Sequence, residues 1–331
     1  MSERPVWRIV GRAVYDISKD TELKGIIGEA FVYALVRKKE MIKLDNAMCI
    51  NLNYSHTLYS AVEALSTLEK YNERCQWGLE SIFEELWRRK NAYEVFNEIW
   101  GELSVFINEM NEMGIVIRDP YTFCLDSTFL DPKLSDSAFI LLEAKGKCKL
   151  CGEYHKSPDF GVIYLGRPAE SESKALARST CPTIYVCAKC FKRLLDKGVI
   201  KIRRRGREAV VTDEYLKNFA LLWVYCELHR YLKYFDFIVK LGNIDFLKDL
   251  AKFRPMSPFD FICIDNNGEK YVIDVKTTTS QKQTTSSKIS IEWNRSSKYI
   301  QLALNQGFRV LLPIVRIEKD WKIILELVEI T

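Results

Sequence analysis

The chain is most tightly constrained between Pro258 and Lys276, where two apolar runs rich in aromatic and β-branched residues flank Asn266-Asn267-Gly268. That pattern specifies a β-hairpin. A three-residue loop, closed by Gly268 in the left-handed conformation, sets Asp265 against Glu269 and, counting outward, Asp260 against Asp274. Opposed residues share a face with Cβ atoms roughly 5 Å apart, and a residue two positions along a strand returns to the same face. Lys276 therefore joins the two aspartates. A register slip of one residue would turn Asp260 to the other side.

Carboxylates brought this close repel each other unless a cation lies between them, and a hard divalent ion such as Mg²⁺ or Mn²⁺ takes oxygen ligands readily. Such an ion polarises a phosphodiester and acidifies a bound water, while a lysine beside it orients the water or stabilises developing charge. The plainer reading of the same residues is a solvated hairpin with its charges on the wet face.

Pro258-Phe259-Asp260 and Asp274-Val275-Lys276 resemble the two halves of the core motif of the PD-(D/E)xK nuclease superfamily. The downstream order is similar to that of archaeal Holliday-junction resolvases and Mrr-like restriction enzymes. It comprises a polar loop over Thr277–Ser287, a helix over Trp293–Gln306 and strands over Phe308–Ile317 and Trp321–Ile330. The run Ile273 to Thr278, with Ile291-Glu292-Trp293, also resembles the nuclease-like domain that ends NO VEIN-type proteins. The likeness covers about the last third of the chain. It departs from the usual pattern in Phe259, between proline and aspartate, and in aspartate at 274, where glutamate is commoner.

The resemblance implies an α/β fold, a restriction-endonuclease-like mixed sheet flanked by helices, and Mg²⁺-dependent hydrolysis of DNA phosphodiester bonds. Asp260, Asp274 and the Val275 carbonyl would hold the metal, and Lys276 would position the water. Many relatives add a glutamate from the first core helix, often after a glycine; Gly28-Glu29 is similar to that pattern, on a helix expected from Glu22 to Lys39. Glu29 is preferred over Glu227. The rival sits on a helix expected over Asp213–Tyr234, ahead of an apolar strand over Phe235–Leu241. Glu227 would make residues 213–331 a complete core, whereas Glu29 would make the bundle and zinc segment a long insertion within it.

Upstream, Trp7–Ile17 alternates like a strand, Met41–Asn53 reads as one or two strands, and Ile115–Leu134 is irregular. Three helical blocks over Thr57–Cys75, Trp77–Lys90 and Ala92–Met113 carry apolar residues at three- and four-residue spacing, as a bundle does. The expected division is a mainly helical region over 1–140, a zinc module over 141–212 and a nuclease core over 213–331. No stretch is apolar enough to span a membrane, and the first residues lack the core of a signal peptide, so a soluble cytoplasmic protein is expected.

Of the ten cysteines, four fall in two Cys-x-x-Cys pairs, Cys148/Cys151 and Cys187/Cys190, the second opening a helix. This spacing suits a structural Zn²⁺ held by four thiolates and resembles a treble-clef finger. Disulfides, or free buried thiols, are the alternative. His155 and Cys181 are spare ligands, while Cys49, Cys75, Cys124, Cys226 and Cys263 are expected to pack as small apolar side chains. Lys201, Arg203, Arg204, Arg205 and Arg207 form the densest basic cluster, suited to DNA phosphates or, more plainly, to a solvated turn. The net charge of +5 is too mild to argue for nucleic acid by itself. A non-catalytic nucleic-acid-binding protein on the same scaffold and an RNA-cleaving nuclease are the alternative functions. A two-fold homodimer would suit cutting of both strands.

Overall fold

The computed structural model describes residues 21–38, 44, 46–53, 56–117, 145–156, 159–204, 207–252, 257–278, 298–317 and 323–330. The strand expected over Trp7–Ile17, most of the irregular stretch after Ile115, Cys124, Arg205, the loop beyond Thr278 and the first turn of the Trp293 helix lie outside them. The chain is a mixed α/β protein with several sheets, and it divides into two units, residues 1–55 with 249–331 and residues 56–248.

The first unit begins with α1 (Thr21–Lys38) and β1 (Met48–Asn51). The second unit opens with three helices, α2 (His56–Cys75), α3 (Glu80–Arg89) and α4 (Ala92–Glu112). Buried Val95, Ile99, Leu103, Phe106 and Met110 form one stripe along α4, which starts where the Asn91 side chain accepts the Glu94 N–H. Next come β2 (Lys145–Lys147), β3 (Tyr154–Lys156), β4 (Phe160–Tyr164), α5 (Lys174–Thr180), β5 (Thr183–Cys187), α6 (Ala188–Asp196), β6 (Ile200–Arg204) and β7 (Glu208–Val211). Strands β2 and β3 form a hairpin, and a four-stranded sheet runs in the order β5-β4-β7-β6. The unit closes with α7 (Asp213–Leu241), and α8 (Ile244–Ala251) leads out of it.

Helix α7 differs from the expected helix followed by a strand. The backbone departs from helical angles at Tyr231, yet Phe235–Leu241 continues as helix to Gly242, which caps it at φ +63°. Asp236 fits the outcome: it pairs with Lys240 one turn on, at 2.6 Å, a contact that suits helical spacing, and it accepts the Ala92 N–H of α4 at 3.2 Å. Packing on α2 and α4 overrides the β preference of Phe237-Ile238-Val239.

The first unit resumes with β8 (Phe261–Ile264), β9 (Lys270–Ile273) and β10 (Lys276–Thr278). A helix whose described part spans 298–305 precedes β11 (Arg309–Ile317) and β12 (Ile323–Ile330). Their sheet runs β1-β8-β9-β11-β10, with β12 antiparallel to β11. Phe261, Cys263, Tyr271, Ile273 and Val275 alternate onto one face, where they bury against Val32 of α1. Residues 213–248 thus belong with the helices of the second unit, and β1 completes the sheet of the first. The compact units divide at 55/56 and 248/249, with the edge strand β1 and helix α1 drawn from far upstream in sequence.

Cys49 and Cys263 face each other across β1 and β8 and are joined by a disulfide, and Cys226 is disulfide-bonded as well. The expectation that these three are simply small apolar side chains is corrected. Strand pairing places the Cys49 and Cys263 Cα atoms 4.1 Å apart, close enough for two thiols to bridge.

Candidate functional site

The hairpin takes the register read from the sequence. Phe261 pairs with Ile273 and Ile264 with Lys270, which sets Asp260 opposite Asp274. The Asp265 N–H donates to the Glu269 carbonyl at 3.0 Å, and Gly268 closes the loop at φ +82°. Beyond the last paired row the ladder opens. Strands β9 and β10 both run parallel to β11 with one register, which brings Pro313 beside the Asp274-Val275 step. A proline has no N–H to give the ladder there. The Asp274 N–H still donates to the Leu311 carbonyl at 3.1 Å. The Val275 N–H, with β8 ending at Phe261, donates to Asp260 Oδ2 at 2.6 Å.

Asp260 thus ties down the Asp274-Val275-Lys276 turn. Its Oδ1 accepts the Asn53 amide at 2.9 Å, while Lys276 Nζ lies 2.7 Å from Asp274 Oδ1. Asp274 is buried and Lys276 half-buried. Helix α1 reaches the same place through a close contact: a Cβ on Gly28 would stand 1.7 Å from Thr277 Oγ1. The adjacent Glu29 has its carboxyl raised above 4.5, first by burial and next by the charge of Asp260, with Asn53 and Lys276 acting the other way. A carboxyl that is partly buried and has a second acid beside it responds in this manner, and a divalent cation would relieve it. Asp260 Oδ1 accepts the Asn53 amide and Oδ2 the Val275 N–H, and carboxylate oxygens of this kind are the hard ligands that Mg²⁺ or Mn²⁺ takes. The oxygens of Glu29, Asp260 and Asp274 are not drawn as tight as the four cysteine sulfurs described below. A cavity of about 350 Å³ beside them is lined by Ile26, Glu29, Ala30, Tyr33 and Asn51.

Asn53, which links Glu29 to Asp260, is missing from the sequence-derived set. The signal for it is modest: a polar Asn-Leu-Asn end to an otherwise apolar strand. Glu227 is placed elsewhere, on α7 in the second unit, 3.7 Å from Arg230. Gln301, on the helix that precedes β11, is exposed.

The second constellation is metal-like in its own right. The Cys148–Gly152 knuckle joins β2 to β3, with the Gly152 N–H on the Cys148 carbonyl at 2.9 Å and Gly152 at φ +70°. Cys187 is the N-cap of α6 and Cys190 lies in its first turn. The four sulfurs lie within 4.8 Å of one another, and Cys151 and Cys187 are 4.0 Å apart. Tetrahedral Zn–S bonds of about 2.3 Å set sulfurs roughly 3.8 Å apart, so the cluster fits zinc. A thiol hydrogen bond from Cys190 pulls Cys148 down to about 5, whereas burial pushes Cys151 up to about 12. A cation is what allows all four to ionise together. His155, 3.9 Å from Cys151 Sγ, stands just outside the four.

The basic turn is only partly available. Lys201 and Arg207 are exposed, but Arg203 stacks over the Tyr164 ring at 5.1 Å and donates to the Ala169 carbonyl. The side chain of Arg204 and all of Arg205 lie outside the described residues.

No helix among the described residues is long and apolar enough to cross a membrane. Compared with models of protein families, curated proteins and solved structures, the chain matches none.

Proposed function

We propose that the first unit is a metal-dependent endonuclease of the restriction-endonuclease-like, PD-(D/E)xK type that hydrolyses DNA phosphodiester bonds. The observation that carries this reading is the pairing of Asp260 with Asp274 at the opened end of the hairpin, with Lys276 and Glu29 beside them. Asp260, Asp274 and the Val275 carbonyl would hold Mg²⁺ or Mn²⁺, with Glu29 completing the set. When bound, the ion supplies a polarised phosphodiester and an acidified water.

The chain's own residues do the rest. Asp274 holds the Lys276 ammonium in place, where it orients the attacking water and meets charge growing on the phosphate oxygens. Asn53 and the Val275 N–H fix both oxygens of Asp260. The cavity along α1 gives a substrate room beside the acids. Lys201 and Arg207, both exposed on the second unit, would offer phosphate contacts of their own. The zinc module is structural, because four thiolates leave no open position on the metal.

Lys276→Ala should cut plasmid DNA about 10²–10³-fold more slowly in Mg²⁺ or Mn²⁺ while folding normally. A variant as fast as the parent, in preparations where an Asp260→Asn/Asp274→Asn control is inactive, sinks the assignment of Lys276. If that control also cuts, the nuclease reading falls. Branched, single-stranded and RNA substrates in the same screen define the substrate class.

A further inference from the structure

We propose that Cys75 and Cys181 form a covalent cross-link, a disulfide that fastens α2 to the segment entering β5. Cys75 is the last residue of α2 and Cys181 caps the C-terminus of α5. They stand 106 positions apart in sequence, yet their sulfurs lie 2.9 Å apart. Even non-bonded carbons rest roughly 3.5–4.0 Å from one another, and sulfur is larger, so two thiols do not sit comfortably at this separation. The surroundings are shaped to the pair. A Cβ on Gly166 would meet Cys181 Sγ at 2.5 Å and the Cys75 Cβ at 2.7 Å, so only glycine leaves room for both sulfurs. Both cysteines are buried, and neither belongs to the four-cysteine cluster.

Cross-linking breaks two S–H bonds and forms one S–S bond. The two electrons and two protons pass to a disulfide of the glutathione or dithiol-oxidase class, which is cleaved to two thiols by exchange through a mixed disulfide. Because the folded pair is sealed from solvent, the exchange takes place as the chain folds, and the finished link resists reductants added later. The disulfides at Cys49–Cys263 and at Cys226 show the same chemistry elsewhere in the chain.

Peptide mapping tests the proposal. Cells are lysed into denaturant with N-ethylmaleimide and a chelator, with no reductant, and the digest is read by mass spectrometry. The expected result is a Cys75–Cys181 linked peptide pair, with Cys148, Cys151, Cys187 and Cys190 all alkylated. If Cys75 and Cys181 each carry the maleimide while the Cys49–Cys263 pair is linked, the proposal is overturned. Finding Cys75 or Cys181 linked to any other cysteine overturns it equally. A Cys75→Ala/Cys181→Ala protein should melt about 5 °C or more below the parent purified without reductant. Equal melting temperatures would remove the claim that the link braces the fold.

Discussion

A hydrogen atom at position 28 sets how near α1 comes to the sheet. Any side chain there would collide with Thr277 Oγ1, one residue from Lys276, and would lift Glu29 away from Asp260. Gly28→Ala should therefore cost about 1–3 kcal/mol of stability and most of the cleavage rate, read by thermal melts and plasmid nicking. Glu29 itself is held protonated more readily than a free glutamate, mainly by burial and then by Asp260. Its folded pKa is raised, so its contribution to stability is present below about 4.5 and is lost as pH rises through the folded value. Glu29→Gln should accordingly melt higher than the parent at pH 7 in chelator, with the gap closing as the pH falls below the ordinary carboxylate range. The same variant should lose cleavage. A parent that outlasts the variant at pH 7 in chelator would show that the acid is not strained.

Among the elements, the β8–β9 hairpin depends on its loop. Gly268 at φ +82° occupies a conformation that costs an L side chain roughly 1–2 kcal/mol, so Gly268→Ala should lower the unfolding free energy by that amount, read by denaturant titration. This hairpin was the most legible part of the chain, because an Asn-Asn-Gly turn and period-two apolar residues fix a register without outside help. The Cys148/Cys187 knuckles were equally readable, since ligand spacing is local. What escaped notice depends on partners distant in sequence. Phe235–Leu241 reads as a strand until Asp236 finds Ala92 and Lys240. Cys49 and Cys263 read as small apolar residues until β1 lies against β8, 214 positions away in sequence. Arg203 reads as a surface cation until Tyr164 comes beneath it, and Asn53 gives little sign that it bridges two acids.

At the scale of the molecule, the second unit relies on its cysteine cluster to order β2, β3 and the start of α6, segments too short to build much core. Chelation, or Cys148→Ser, should remove about one equivalent of zinc per chain and loosen that unit. Elemental analysis alongside limited proteolysis would show this; a metal-free protein with unchanged protease resistance would contradict it. The first unit has a different dependence. Its sheet takes β1 from residues 48–51 and β8 from residues 261–264, with the whole of the second unit encoded between them. During translation α1 and β1 must wait while the intervening unit emerges and folds. Glu29 meets Asp260 only when synthesis is nearly finished, so a prematurely terminated product lacks the assembled acids.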